Sequence, residues 1–452
     1  MADLKSTDDW VPLTLPQLDF WEEFACHPEE PLSTVAHYLD IEGDVNEDAL
    51  LKAIAETVRE SDVLSVRFRR GPEGGQPRQR CAPEYAPEVA FVDLRSAADP
   101  HGEAKRQMDA DLAQQLDLTA DKVSAQVLYR ITDTRYYWYL RAHHIIVDGY
   151  GMALIERRCG QLYGQFARGA DAGPAFHRFG AFLAEEDAYQ NSRRWQADRD
   201  HWNTTLELPV KLPLIDREAE DYGTVGMHHD LQLPPEYSAK LQAMGKAVGM
   251  SWAELLVLLS SAYLYKALPK QAGNGEGYMS VWLPFMSRWG SVAAYVPAMT
   301  VNILPLCLAF EPQATLAAFF RGARTELKKH RMHGRYRIEQ IATDQRVAKN
   351  HRYFFSPLVN VLPFTRASFV GCQVTREVLA SGVAEGFNLT FRGEDDGSNL
   401  LLQVDSDGAM PSKEFEWHRR AIPEFLLNAL SLENLEQPLE SLWAQLPEPV
   451  RS

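Results

Sequence analysis

Cysteine is scarce in this chain of 452 residues, and what there is lies far apart. Cys26, Cys81, Cys159, Cys307 and Cys372 are odd in number and form no CxxC or Cys/His spacing, so neither a disulfide framework nor a metal site is expected. No run of roughly 18 apolar residues occurs, and Met1 to Pro12 is acidic and polar where a signal peptide is basic and then apolar. The expectations are a cytoplasmic protein with no membrane partner. Positive charge is in the minority: 46 Lys and Arg against 62 Asp and Glu leave a net charge of −16, which speaks against nucleic acid as a partner. Gly273-Asn274-Gly275-Glu276-Gly277 lacks the lysine and helix start of a phosphate loop and reads as a turn. Fixed-period repeats and low-complexity segments are missing too.

What is present is a long chain with 45% hydrophobic residues, more than one compact core usually holds, so two domains are expected. The informative stretch is Tyr136-Tyr137-Trp138-Tyr139-Leu140-Arg141-Ala142-His143-His144-Ile145-Ile146-Val147-Asp148-Gly149. An aromatic strand delivers two histidines and then an Asp-Gly turn. Side chains alternate along a strand, so His143 and His144 are expected to divide their tasks, one facing an open channel and the other packing. Imidazole is the usual mover of protons near neutral pH. A lone His pair reads more simply as two satisfied core residues. The full HHxxxDG spacing between a strand and a helix favours a functional site.

Strand-like and helix-like segments alternate along the chain, as in an α/β protein. Ser33 to Ile41 reads as a strand, and Asn46 offers an N-cap to a helix with Leu50, Leu51, Ile54 and Val58 on one face. Val123 to Ile131 and Tyr136 to Ile146 form a hairpin. Met152 to Ala167 is helical and ends at Gly169. Gly169 to Pro174 reads as a linker, followed by a helix from about Ala181 to Leu206. Further on, Trp252 to Leu268 is helical, Tyr278 to Leu283 and Thr300 to Leu308 are strand-like, and Leu316 to Met332 is an amphipathic helix. A basic run from Arg321 to Arg337 is either a solvated face or a docking surface for an acidic partner. His228-His229 sits in an alternating strand pattern and reads as structural.

The HHxxxDG motif resembles that of the acyltransferases that include the condensation domains of nonribosomal peptide synthetases. Pro12 to Gln17 resembles the first condensation motif and Val63 to Phe68 the second. Leu283 to Arg288 with Val301 to Leu306 resembles the fifth, and Phe355 to Asn360 a later tunnel-lining segment. The likeness runs over nearly the whole chain. Through Ser33 to Tyr38, Asp99 to Gly102 and the motif strand it is greatest to the condensation domains of enterobactin synthetases, which join an aryl acid to serine.

That resemblance implies two chloramphenicol-acetyltransferase-like α/β lobes in a V-shaped pseudodimer, 1–176 carrying the motif and 177–452 carrying tunnel, floor-loop and bridging segments. It implies amide formation between an acyl donor and an aminoacyl acceptor, each on the phosphopantetheine arm of a carrier protein, with no permanently bound cofactor or metal. His144 is the implied catalytic residue, with His143, Asp148 and Gly149 completing the motif. Arg288 is implied to pair with Asp148 from the other lobe in bidentate geometry. Tyr150, Gly151, Asn302, Ser356 and Asn360 match tunnel positions, although many relatives have Ser where this chain has Gly151. Partners would be donor and acceptor carriers and neighbouring synthetase domains, around a monomer. No adenylation signature or Gly-Gly-x-Ser carrier motif is found, and Leu446 to Val450 resembles the start of an interdomain linker. An ester-forming acyltransferase and a non-catalytic carrier-recruiting module stand as alternatives.

Overall fold

The computed structural model describes residues 10–28, 30, 33–72, 75–206, 211–220, 226–268, 277–286, 288–382 and 385–447, so 273–276 of the expected glycine turn and 448–450 of the linker-like tail lie outside the described residues. The elements run β1 (Val11–Pro12), α1 (Leu15–Cys26), β2 (Thr34–Gly43), α2 (Glu47–Glu60), β3 (Val66–Arg69), β4 (Arg78–Cys81), β5 (Val89–Asp93), α3 (Pro100–Leu112), β6 (Ser124–Arg130), β7 (Arg135–His143), α4 (Gly149–Arg168) and α5 (Phe179–Gln190). They continue as α6 (Arg193–Thr205), β8 (Leu214–Asp216), β9 (Met227–Gln232), α7 (Pro235–Val248), α8 (Trp252–Ala267), β10 (Tyr278–Met286), β11 (Val301–Ala309), α9 (Leu316–His333) and α10 (Ile338–Asp344). The last are β12 (His351–Tyr353), β13 (Leu358–Pro363), β14 (Cys372–Ser381), β15 (Phe387–Gly393), β16 (Leu401–Ser406), α11 (Ser412–Ala429) and α12 (Leu439–Trp443).

These elements form a mixed α/β fold of two compact units. The first is Met1–Asn191 with Met286–Val301 and Arg366–Val383, and the second is the remainder. The expected division at 176/177 therefore moves to 191/192, and two later segments return to the first unit. The reason is visible in the expected 181–206 helix, which breaks into α5 and α6 where Ser192 accepts from Trp195 N–H at 3.1 Å and starts a new helix. Glu185 of α5 accepts from Val292 N–H (2.9 Å), whereas Trp202 of α6 donates to the His333 carbonyl (2.9 Å) in the second unit.

In the first unit a five-stranded sheet runs β14-β2-β7-β6-β5. Its middle strand explains the aromatic run. Strand alternation sends Tyr136, Trp138, Leu140 and Ala142 into one core cluster and Tyr137 and Tyr139 into another on the opposite face. A strand covered on both faces must be apolar or aromatic at nearly every position. Asn46 caps α2 as expected, accepting from Ala49 N–H at 3.0 Å, and Gly169 ends α4 at φ 70°. The second unit has a six-stranded sheet, β11-β10-β13-β15-β16-β9, against which the buried helix α8 packs. Its neighbours β10 and β11 are joined by 286–301, a segment that belongs to the first unit. No single helix among the described residues is long and apolar enough to cross a membrane.

β14 is the other returning segment, antiparallel to β2 at the sheet edge. It is clipped to α4 by Arg376, whose guanidinium meets the buried Glu156, while His37 of β2 reaches the same carboxylate at 2.5 Å. Burial alone would raise the Glu156 pKa, but Arg376 and then His37 outweigh it and hold the carboxyl at about 2. Glu156→Ala leaves Arg376 without this partner and is expected to cost roughly 3–5 kcal/mol in denaturant unfolding. Because the folded pKa lies below the ordinary 4.5, the contribution is complete above about pH 4.5 and disappears as pH falls toward 2. Glu156→Ala should lack that part of the acid sensitivity; an unaltered stability–pH curve would show that the clip contributes nothing.

Candidate functional site

The motif begins where β7 ends. The strand stops at His143, not at Ile146, and His144 to Ile146 form a turn before α4. Strand alternation therefore does not govern His144, and hydrogen bonds set the two rings apart instead. Ile145 N–H donates to His143 Nδ1 at 3.1 Å, so that nitrogen is unprotonated. His143 is buried, and desolvation, then the neighbouring His144 and Arg141, push its pKa down to about 3. His143 stays neutral at ordinary pH.

His144 is half-buried and differently held. Its N–H donates to the Ser33 carbonyl at 2.7 Å, and its Nδ1 lies 2.8 Å from the Val147 carbonyl oxygen. A carbonyl only accepts, so Nδ1 carries the proton and Nε2 of the neutral ring keeps its lone pair. Crowding by protein atoms lowers the pKa by desolvation, against which Asp148 and the Val147 carbonyl pull upward. Phe20 of α1 stacks on the ring at 5.4 Å between centroids and 8° between planes. Gly382, just beyond β14, lies so close that a Cβ there would come within 3.9 Å of His144 Cδ2.

Asp148 is 2% exposed and caps α4, accepting from Gly151 N–H at 2.8 Å. Its carboxylate also accepts from Arg288 Nη2 at 2.8 Å to each oxygen, from Thr300 N–H (2.9 Å) and Oγ1 (3.1 Å), and from Val301 N–H (3.1 Å). Burial would raise its pKa; the Arg288 guanidinium and the backbone donors outweigh that and hold it below the usual carboxylate range. The expected Asp148–Arg288 pair is present, with two corrections. Arg288 lies in the same compact unit as Asp148, because 286–301 returns there. The contact is one nitrogen between two oxygens, not a two-nitrogen fork, since Nη1 instead donates to the Ala293 (2.5 Å) and Val296 (2.7 Å) carbonyls.

The other expected residues fall in two groups. Gly149 is the first residue of α4 and is exposed. The Tyr150 ring lies under the Arg288 guanidinium at 5.0 Å. Gly151 is needed for close approach, as a Cβ would come within 2.9 Å of the Pro297 carbonyl oxygen. Asn302, Ser356 and Asn360 belong to the second unit. Asn302 is buried and braces the α9–α10 turn, donating to the Gly334 and Tyr336 carbonyls, both at 2.9 Å, and accepting from Ile338 N–H at 3.1 Å. Ser356 Oγ accepts from Phe387 N–H at 2.9 Å, and Asn360 is half-buried on β13 opposite Thr390. His228 pairs with Asp405 at 2.6 Å across the sheet. The basic run is partly answered within its unit: Lys329 meets Glu326 at 2.8 Å, Arg331 meets Glu254 at 2.6 Å, and His330 is buried against the Pro305 carbonyl. Among the described residues no group of three or more His, Cys, Asp or Glu is placed to hold a metal ion.

Phe20 and Thr300 escaped the sequence reading. Gln17, within the first quoted motif, shows what that motif does locally. It closes a capping box with Thr14 and exchanges two amide hydrogen bonds with buried Gln79 of β4, at 2.7 and 2.6 Å. That fixes α1, the helix that carries Phe20.

Comparison with known proteins gives a consistent picture. The family model described as "Condensation domain" matches residues 7–403. The dimodular nonribosomal peptide synthase of Bacillus subtilis is 28% identical over 94% of this chain and 18% of its own length. Enterobactin synthase component F of Escherichia coli K12 is 29% identical over 84% of this chain and 29% of its own. The chain thus spans less than a third of either curated relative. The crystal structure of VibH, a nonribosomal peptide synthetase condensation enzyme, superposes with a TM-score of 0.86 at 33% identity, covering 94% of this chain and 100% of that one. The first condensation domain of the calcium-dependent antibiotic synthetase, 24% identical with a TM-score of 0.80 over 96% of this chain and 99% of its own, shares the fold.

Asp148→Ala and Arg288→Ala should each lower stability by roughly 3–5 kcal/mol, since each leaves a buried charge behind. The double substitution should cost clearly less than the sum. Additive losses in a double-mutant cycle by chemical denaturation would refute a single coupled unit.

Proposed function

The chain belongs to the condensation-domain family of nonribosomal peptide synthetases, and on that premise we propose that His144 serves the joining of a carrier-bound aryl or short acyl thioester to the amine of a carrier-bound aminoacyl group, L-serine or another small residue, in siderophore-like biosynthesis. Condensation domains are acyltransferase-type enzymes that act on phosphopantetheine-carried substrates and work with carrier domains. The similarity to enterobactin synthase component F supports the choice of donor.

The acceptor amine attacks the donor thioester carbonyl, forming a C–N bond and a tetrahedral species with an oxyanion and an extra N-bound proton. His144 Nε2 takes that proton as the C–S bond breaks, and returns it to the departing sulfur as the amide forms. The observation that carries this reading is the Nδ1–H bond to the Val147 carbonyl, which leaves Nε2 as an acceptor on a neutral ring. Asp148 has no proton to exchange in this scheme: its oxygens are occupied by Arg288, Gly151, Thr300 and Val301, so it holds the loop. Placing both reactants together contributes as well, since effective molarities are worth roughly 7–11 kcal/mol.

His144→Ala is expected to abolish nearly all amide formation while keeping the wild-type melting temperature; His143→Ala should be milder in rate. Full activity in a folded His144→Ala protein removes the residue from the chemistry. Because the base must be unprotonated and its pKa is depressed, kcat/KM should hold as pH falls through the ordinary imidazole value of 6.5 and decline only below it. In competition among aryl-, fatty-acyl- and dipeptidyl-loaded carriers, read by product mass, the aryl product should dominate. A dominant peptidyl product would overturn the donor assignment.

A further inference from the structure

The β3–β4 hairpin is out of character for a chain of net charge −16. Val66, Phe68 and Gln79 are buried, so alternation places Arg67, Arg69, Arg78 and Arg80 together on the other face. The register sets Arg67 directly opposite Arg80 and Arg69 directly opposite Arg78. Like charges facing each other across strands are destabilising. Aromatic rings hold them in place: Arg69 and Arg80 lie over Trp10 at 4.3 and 5.4 Å, and Arg67 lies over Tyr85 at 4.3 Å. Arg70 adds a fifth charge over Phe24 at 5.9 Å. Arg80 reaches Glu84 at 3.1 Å, but among the described residues Arg67, Arg69 and Arg78 form no ion pair with a carboxylate. Stacking fixes the guanidinium planes of Arg67, Arg69 and Arg80, Arg78 is held by donating from Nη1 to the Trp10 carbonyl at 2.9 Å, and N–H edges are left able to meet anions.

We propose that this arginine face is a docking surface for an acidic carrier domain. The inference rests on the carrier-dependent reaction proposed above and names a surface for one of its partners. Two strands of four residues span only about 14 Å. A long polyanion such as nucleic acid would outrun this patch on a chain of net charge −16, whereas a compact acidic domain has a matching footprint. The hairpin is also coupled to the motif. Buried Gln79 pairs with Gln17 of α1, and α1 carries the Phe20 ring that stacks on His144.

The test uses Arg69→Gln/Arg78→Gln and the charge-keeping Arg69→Lys/Arg78→Lys, each checked by thermal melting. Titration measures Kd for an aryl-loaded and a seryl-loaded carrier domain, and steady-state assays measure KM and kcat. The Gln pair should raise Kd and KM for one carrier roughly tenfold or more at low salt, with kcat at saturation retained and the difference shrinking as salt is added. The Lys pair should restore most of the affinity. N-acetylcysteamine thioesters have no protein to dock, so on them the Gln pair should differ from the parent by less than about twofold. Unchanged Kd and KM for both carriers in the folded Gln variant overturn the proposal. Binding of inorganic phosphate or a polyglutamate peptide as tight as that of the carriers overturns it too, as a generic anion surface. If the parent makes no amide from carriers or thioesters, the proposed reaction fails, and the Kd comparison still decides the docking surface by itself.

Discussion

A carboxylate buried to 2% exposure survives as an anion only if its surroundings replace the water it has lost. Around Asp148 they do so with a guanidinium, three backbone N–H groups and a hydroxyl. Those donors come from separate parts of the chain: the first turn of α4, the second residue after β10, and the start of β11. The turn that presents His144 is therefore shaped by a charge it does not contain. Val147, whose carbonyl fixes the imidazole tautomer, is held on one side by this cluster and on the other by the end of β7. Arg288 is similarly committed, since its Nη1 donates to the Ala293 and Val296 carbonyls and its Nη2 also to the Ala298 carbonyl. The pair organises the loop as much as it neutralises a charge.

Specificity of conformation, more than net stability, is the natural gain from such an arrangement. A buried ion pair returns little over an apolar replacement, while breaking one is expensive. The same reasoning covers Glu156, held between Arg376 and His37. In both places a segment distant in sequence is tied to α4 by an interaction with few alternative partners. An apolar contact would tolerate sliding; an Arg–carboxylate contact does not.

Much of this was legible in the sequence. The α/β character, the Asn46 cap, the hairpin ending near the motif and the Gly169 stop all follow from periodicity and local chemistry, which depend on neighbours within a few residues. HHxxxDG located the site because its parts are contiguous. The family resemblance named Arg288, which spacing alone could not. The rest was hidden for a physical reason. Phe20 stacks on His144 from 124 positions away, Gly382 approaches it from the far side of the sequence, and nothing in either local pattern announces the contact. The break at Asn191-Ser192 was missed because Ser192 is a weak cap signal inside an otherwise helical composition. The division into units was misplaced for a related reason: no composition shift marks a segment that leaves one sheet, folds with another body and returns.

That interleaving bears on how the molecule is made and how it can be cut. The five-stranded sheet lacks its edge strand until residue 381 has been synthesised, and Asp148 waits for Arg288, 140 positions later, before its charge is matched. Emerging from a ribosome, β2 and the motif turn would spend a long interval without their final neighbours, although β7 already has β2 and β6 beside it. Recombining such a protein with a relative at residue 176 or 191 would separate the His144 turn from the arginine and the strand that complete it. A viable chimera of the first unit would need three stretches exchanged together, 1–191, 286–301 and 366–383, which makes this a body inherited as a set and not as a single contiguous piece.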